Sequence, residues 1–458
     1  MNKKERNLIT ICLAIVGSYL FYKQDAGINK LVFTTISAIV LIYQNKEKGV
    51  KSLAIAILPS LLSSFFIVWY PQLLTRIIWL FSYLFMWSTM LPTPFPIVTL
   101  LQGLYSIIES PFSIFKKDES KLTPKESSGN RKGIIYLITA IIVSIFIMLY
   151  INSNPVFSEL FSKIDLSFIE FGFILTIVGL FLLLYGLVKI NINDSIQELN
   201  LINTSINKSE LTKRDEQEFL IAKLSIWIIG VILFIANVGD LIVIFTGKLP
   251  EGITYSEYVH QGFYTLIFTL SLAIGLVIYF FRGQLNFHSN LKIIKNASIF
   301  WILQNLLLAL ITAYKNFLYV EVYGLTYKRI AVFLGLICVV IGLVLSLKKL
   351  YNPFTNWLYF NKLTMNAFVC FVLMSFIPMD RLITRYNLSY SETVDLSYIL
   401  SLSKPDLELV DDFIREKEGP YSNNALIVRN KILHLTEKAS NCNWQSWSLY
   451  INQYNRTK

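Results

Sequence analysis

The chain has 458 residues, of which 54% are hydrophobic and only 16% are charged. The charged residues lie in short groups between long apolar segments, a pattern that excludes disordered, disulfide-rich secreted and nucleic-acid-binding proteins. A soluble core has no use for ten or more such segments, so the sequence predicts a multi-spanning membrane protein. The formal net charge of +11 arises outside the tail, because residues 380–458 hold ten basic and ten acidic residues.

Apolar segments in chain order predict an all-α fold, a polytopic transmembrane helix bundle of about eleven spans. Several segments are shorter than the roughly 20 residues that a span needs, so their aromatic flanks are expected to extend them. The first segment lacks a small-residue cleavage site after it, and we interpret it as an uncleaved span. The segments are 8–22, 31–43, 52–69, 73–91, 134–151, 166–188, 224–246, 261–281, 297–313, 330–347 and 363–379.

The basic residues of the connecting segments predict the orientation. Counted alternately along the chain, one set of connections holds 23 Lys and Arg residues and the other holds 8. Because basic residues concentrate in cytoplasmic loops, the N-terminus is expected in the cytoplasm and the tail, after eleven spans, outside. The predicted location is the bacterial cytoplasmic (inner) membrane. The basic-poor set consists of 23–30, 70–76, 152–165, 247–260 and 314–329.

Composition along the chain predicts four parts. Residues 1–115 form a block of four spans followed by an amphipathic surface helix over 97–115. Residues 116–133 are rich in Lys, Ser and Glu without apolar periodicity, which is typical of a flexible cytoplasmic linker. Residues 134–379 hold seven further spans. Residues 380–458 are predicted to form a small extracytoplasmic domain of about three helices, with Pro405 in the first turn of one of them.

Sequence signatures of catalysis and cofactor binding do not appear. The chain has no phosphate-binding loop, dinucleotide fingerprint, zinc-protease motif or nucleophile elbow. Its four cysteines, Cys12, Cys338, Cys370 and Cys442, are too far apart in sequence to indicate a disulfide framework or a zinc site. We therefore expect no catalytic residue, no metal and no cofactor.

Polar residues on the predicted outer side form the candidate binding site. Charged groups at the edge of the hydrocarbon region are costly unless they are paired or hydrated, which makes them candidates for function. Glu257 and His260 are three residues apart and would share one face of a helix. The full candidate set is Asp240, Glu257, His260, Glu321, Tyr323 and Arg329.

These residues allow three interpretations. Glu257 and Glu321 could pair with Lys328 and Arg329 and hold two helical hairpins in register. They could instead form a binding site or a transport pathway, or supply an acid and a base for catalysis. A metal site is the weakest interpretation, because zinc would need a third ligand.

Four stretches, YSEYVHQGF (255–263), LYVEVYGLTYKR (318–329), DLSYILSLS (395–403) and NWQSWSL (443–449), occur in this order. Together they resemble the uncharacterised bacterial membrane family catalogued as domain of unknown function 4173, with its relative 4153. The resemblance covers roughly residues 225–458 and leaves out the first four spans. It implies no reaction or substrate. It places the recognisable stretches on the predicted outer side, where we expect one assembly of two loops and the tail.

The sequence therefore favours a non-enzymatic membrane protein that uses an outer-face polar cluster. Its role would be binding or sensing, membership of a complex, or movement of a small or lipidic solute. The alternative is a membrane enzyme acting on a lipid-linked or envelope substrate, with Glu257 or His260 as acid or base. The expected partners are the lipid bilayer and other membrane proteins, without nucleic acid. The sequence does not identify a ligand.

Overall fold

The computed structural model of the chain describes residues 3–47, 49–88, 96–113, 171–188, 213–247, 263–281, 291–391, 394–417 and 422–455. Every regular element in these ranges is helical, as predicted. The α-helices are α1 (Lys3–Phe21), α2 (Ile28–Gln44), α3 (Val50–Trp69), α4 (Leu73–Ser88), α5 (Pro96–Ser113), α6 (Phe171–Val188), α7 (Lys213–Thr246), α8 (Phe263–Phe280), α9 (Leu291–Tyr323), α10 (Tyr327–Tyr351), α11 (Asn356–Leu373), α12 (Met379–Ser389), α13 (Leu396–Ser401), α14 (Leu407–Glu416), α15 (Ser422–Ser440) and α16 (Leu449–Tyr454).

Several helices have the length and composition of membrane spans. Within the described ranges, five are long and apolar enough to cross a membrane, in α3, α7, α9, α10 and α11. Helices α2, α4 and α6 are apolar but shorter. Ten of the eleven predicted spans overlap described helices, whereas the segment 134–151 lies outside the described residues. The chain is thus a helical transmembrane protein, and the number of eleven spans stays a prediction.

Two large apolar clusters hold the membrane helices together. One forms among α1–α4 and α6, and the other among α7–α11. Helix α6 packs against α1 and α5, although the sequence-based division places this segment with the later spans. Helix α11 joins the two groups by contacting α4 and α5, with the rings of Phe85 and Phe368 4.5 Å apart. The two groups therefore share a packed boundary.

Helix α5 corresponds to the predicted surface helix over 97–115, but its apolar side faces away from the neighbouring helices. Gln102 and Ser106 are buried, whereas Leu101, Tyr105 and Ile108 are exposed. Small and polar side chains let α5 approach α4 and α6 closely, and the exposed apolar side chains suit contact with lipid. Its position along the membrane surface stays a prediction.

The tail consists of short helices gathered at one end of the membrane helices. Helices α13, α14 and α15 correspond to the three predicted tail helices, and apolar residues of α13–α15 form a separate small cluster. Pro405 lies just before α14 rather than in its first turn, because the helix begins at Leu407 after the N-cap residue Asp406. That the tail is a separate extracytoplasmic domain stays a prediction.

Three turns between membrane helices meet the tail at this end. In the α1–α2 turn, the Ile28 amide donates to the Trp447 carbonyl (2.9 Å). In the α3–α4 turn, Gln72 Oε1 accepts from the amide of the tail residue Asp380 (3.2 Å). Asn387 of α12 donates to a carbonyl of the α9–α10 turn (2.9 Å). All three turns belong to the basic-poor set, and we call this end of the molecule the tail face.

Gly27 allows the closest approach between the tail and the α1–α2 turn, and we expect the substitution Gly27→Ala to loosen the tail. A Cβ at this position would lie 2.4 Å from the Trp447 carbonyl oxygen and 2.7 Å from the Ser446 carbonyl carbon. Backbone atoms cannot move aside as a flexible side chain can, so overpacking should cost about 1–3 kcal/mol. The measurement is the thermal midpoint of the detergent-purified protein, together with the rate at which protease cleaves the tail.

Gly49→Ala is the matched control, because a Cβ at Gly49 would meet nothing within 4 Å. Equal midpoints and equal cleavage rates for the two variants would contradict the packing described for Gly27.

Candidate functional site

Arg329 and Tyr323 lie together at the α9–α10 turn. The Arg329 guanidinium donates through Nη1 to the carbonyl of Tyr323 (2.8 Å) and to that of Gly324. It also lies over the Tyr319 ring, 4.3 Å from the centroid. Gly324 has a φ of +76° and ends α9 in the left-handed conformation that glycine tolerates. Arg329 therefore caps the carbonyl end of α9, a structural role that its sequence context did not indicate.

The predicted acidic partners do not join Arg329 in the described part of the chain. Glu321 is exposed and lies near Tyr386 of α12, where its charge, after burial, raises the pKa of that phenol. Asp240 of α7 instead forms a 2.7 Å ion pair with Lys315 of α9. Glu257 and His260 lie outside the described residues. The structure thus places Glu321, Tyr323 and Arg329 around one turn, while Asp240 pairs separately.

The carboxylate of Asp380, in the first turn of α12, connects the tail to the membrane helices. It is 1% exposed. Its Oδ1 accepts a hydrogen bond from the Tyr327 hydroxyl (2.5 Å), and its Oδ2 accepts from Ser403 Oγ (2.7 Å) and from the Lys404 amide (2.8 Å). Its own amide donates to Gln72 Oε1 (3.2 Å). One residue therefore ties the α3–α4 turn, α10, α12 and the α13–α14 connection together.

Beside this carboxylate, the structure places three cations, Lys30, Arg76 and Lys404, which we call the cation cluster. Lys30 Nζ lies 3.6 Å from the Phe21 ring centroid and 4.7 Å from that of Trp79. Lys404 Nζ lies 4.8 Å from the centroid of the Tyr450 ring in the tail. Trp79 lies one turn after Arg76 on α4, and the Lys404 carbonyl accepts from Tyr70 just before α4, so the three residues lie around the start of this helix.

The cation cluster has no carboxylate partner of its own within the described ranges. Arg76 Nε donates to the Pro71 carbonyl (3.0 Å), and the two lysine side chains lie against aromatic rings. The nearest acidic groups, Asp25 and Asp380, attract Lys404 without forming an ion pair with it: Asp380 accepts three hydrogen bonds from uncharged donors, and Asp25 pairs with Lys438 (2.5 Å). All three cations are half-buried, where water screens their mutual repulsion poorly. Such a cluster favours the binding of an anion between the three side chains.

The environment of Lys404 lowers the pKa of its ammonium group. Burial, followed by repulsion from Arg76 and Lys438, lowers the pKa of Lys404 to about 8, although Asp25 and Asp380 act in the opposite direction. An unfolded lysine with a pKa of 10.5 keeps its proton across the interval from about 8 to 10.5, where the folded one loses it. Folding is therefore penalised by this group below about pH 8, and the penalty is relieved as the pH rises through that interval.

A second polar region lies between α7 and α9. Asn237 Nδ2 donates to the Gln304 carbonyl (3.0 Å), an interhelical bond that fits the plain interpretation of these amides. The side-chain oxygens of Asn237 and Asn305 and both amide atoms of Gln304 are buried without hydrogen-bond partners. These groups are uncharged, so they offer no counterpart to the cation cluster.

The two polar regions differ in the chemistry they can support. The cation cluster can bind an anionic group, with Lys30, Arg76 and Lys404 as donors. No group of three His, Cys, Asp or Glu side chains that could hold a metal ion occurs among the described residues. None of Lys30, Arg76, Asp380 and Lys404 was among the candidate residues that the sequence indicated. More than 300 positions separate the first two from the last two, so no local pattern joins them.

We expect Asp380→Asn to destabilise the protein and to release the tail. An amide keeps one oxygen but puts an N–H group opposite a hydrogen-bond donor. It also removes the charge that strengthens the remaining bonds, at a cost of about 2 kcal/mol. The thermal midpoint in detergent and the protease sensitivity of the tail measure both effects. Asp412→Asn on the exposed face of α14 is the control; if it lowers the midpoint as much as Asp380→Asn does, the connecting role of Asp380 is refuted.

Comparison with known proteins identifies the family. Residues 8–413 match the family described as Domain of unknown function (DUF4153). The expected limits of the resemblance were wrong, because the match includes the first four helices and ends within α14, before most of the tail. The likeness to domain 4173 stays a prediction. No curated protein and no solved structure was found to match. The chain belongs to the DUF4153 family.

Proposed function

We propose that the chain is a non-enzymatic protein of the bacterial cytoplasmic membrane that binds an anion at its tail face. The observation that carries this proposal is the cation cluster, three half-buried positive charges without a carboxylate partner among the described residues. Guanidinium and ammonium donors are suited to holding negative charge. A role in sensing or in a larger complex follows naturally from binding without turnover.

The topology we propose has eleven spans, a cytoplasmic N-terminus and an outer tail face. Three of the five basic-poor connections meet at the tail face, and this supports a common side for them. The excess of basic residues in the alternate connections supports the direction. The tail would then lie outside the membrane, where it covers the cation cluster.

Labelling of Cys442 tests this orientation. A variant with Cys442 as its sole cysteine, in cells whose outer membrane, if present, is permeabilised, should react with a membrane-impermeant maleimide before lysis. Burial raises the pKa of this thiol, so the reaction is run at pH 8 with long exposure. Labelling only after lysis, with equal reactivity in denatured protein, would place the tail in the cytoplasm and overturn the proposed orientation.

Binding of inorganic phosphate to the purified protein tests the anion site. Arg76→Gln and Lys404→Gln should each weaken phosphate binding about tenfold or more, because a hydrogen bond to a charged group contributes about 1.5–3 kcal/mol. Titration calorimetry in detergent measures the affinity. Lys51→Gln is the matched control, because Lys51 is an exposed lysine at the opposite end of the membrane helices.

The pH dependence separates this site from general surface charge. Lys404 loses its proton as the pH rises through about 8, so phosphate affinity should fall there. Lys404→Arg keeps its charge and should preserve affinity to higher pH. Absence of phosphate binding, or equal losses in the Lys51→Gln control, would refute the anion site.

A further inference from the structure

We propose that the anion held by the cation cluster is the phosphate headgroup of a membrane lipid, which enters from the bilayer beside α4. This inference rests on the proposed function and names the ligand of the same site. Three observations support it: the position of Lys30 and Arg76 in the first turns of α2 and α4, the apolar surface beside Arg76, and the covering tail.

The depth of the cations matches that of lipid phosphate groups. Lys30 lies in the first turn of α2 and Arg76 in the first turn of α4, and both helices begin at the tail face. The first turn of a membrane helix lies at the boundary between headgroups and hydrocarbon, where lysine and arginine contact phosphate. Both helices also present the positive ends of their dipoles at this level, which adds to the attraction for an anion.

The surface beside Arg76 is open to acyl chains. On α4, Leu73 is 61% exposed, Ile77 39% and Leu80 50%, and they form an apolar stripe one turn to either side of Arg76. Arg76 itself is half-buried at the edge of this stripe. A lipid whose chains lie along the stripe would bring its phosphate to the Arg76 guanidinium. A soluble anion would gain nothing from these apolar side chains.

The tail closes the site on the side away from the membrane. The Tyr70 hydroxyl at the end of α3 donates to the Lys404 carbonyl, which fixes this lysine over the α3–α4 turn. Burial and the nearby Asp380 raise the pKa of Tyr70, so its phenol remains a donor across the physiological range. With Lys404 fixed at this turn, the exposed face of α4 offers an approach from the side of the bilayer.

Native mass spectrometry of the full chain tests the inference. The protein is purified in mixed micelles that contain phosphatidylglycerol and phosphatidylcholine, and retained lipid is counted. The wild-type chain should retain one phosphatidylglycerol molecule. In Arg76→Gln and in Lys404→Gln, the fraction of chains that retain this lipid should be about tenfold lower. Leu73→Asn and Ile77→Asn should lower lipid retention while leaving the affinity for inorganic phosphate unchanged. Lys51→Gln should behave as the wild type.

The outcomes separate this inference from the proposed function. Phosphate binding that depends on Arg76 and Lys404, without preferential retention of phosphatidylglycerol, would identify a soluble-anion site and overturn the inference alone. Equal retention by the wild type and the Arg76→Gln and Lys404→Gln variants would show lipid bound elsewhere on the surface, with the same consequence. Failure to bind phosphate or lipid would overturn both proposals.

Discussion

The buried carboxylate of Asp380 is the constraint on which the tail face depends. Removing a charged group from water costs several kcal/mol unless hydrogen bonds replace its hydration. Asp380 meets this requirement only when the α3–α4 turn, α10, α12 and the α13–α14 connection occupy their observed positions. The same requirement fixes Lys404, because its backbone amide is one of the donors. The hydrogen bonds that position the tail on the membrane helices therefore also position the Lys404 cation.

Positive charge at the tail face runs against the general distribution of charge in this chain. Basic residues are concentrated in the alternate connections, and the basic-poor set holds only 8. Two of these eight, Lys30 and Arg76, lie around the start of α4 with Lys404 of the tail, and neither forms an ion pair within the described residues. Contacts with aromatic rings offset part of their repulsion but do not neutralise their charge. An anion between them would relieve the repulsion, and this is the physical reason to favour a binding site.

The fold was predictable from the sequence to a greater degree than the site. Long apolar segments determine helices because a backbone in lipid must satisfy its own hydrogen bonds, and most described helices coincide with the predicted ones. Helix packing was less accessible: the contact of α6 with α1 joins segments about 160 positions apart without a local signal. The candidate site was chosen from residues that are close in sequence, and three of them lie at the α9–α10 turn, where Arg329 caps a helix. Lys30, Arg76, Asp380 and Lys404 come together only through tertiary structure.

The polar layer between α7 and α9 bears on whether the protein moves a solute. Its amides are uncharged, and one of them already bonds to the neighbouring helix, so the layer can hold the helices in register. The surrounding cluster of α7–α11 is apolar and tightly packed around residues such as Ile302 and Leu343, both 0% exposed. The cation cluster lies beside the other apolar cluster, that of α1–α4 and α6, where Leu41, Ile67 and Met86 are also 0% exposed. The arrangement therefore favours an anion that is held at the membrane surface, with its chains in the bilayer, over one that is carried across.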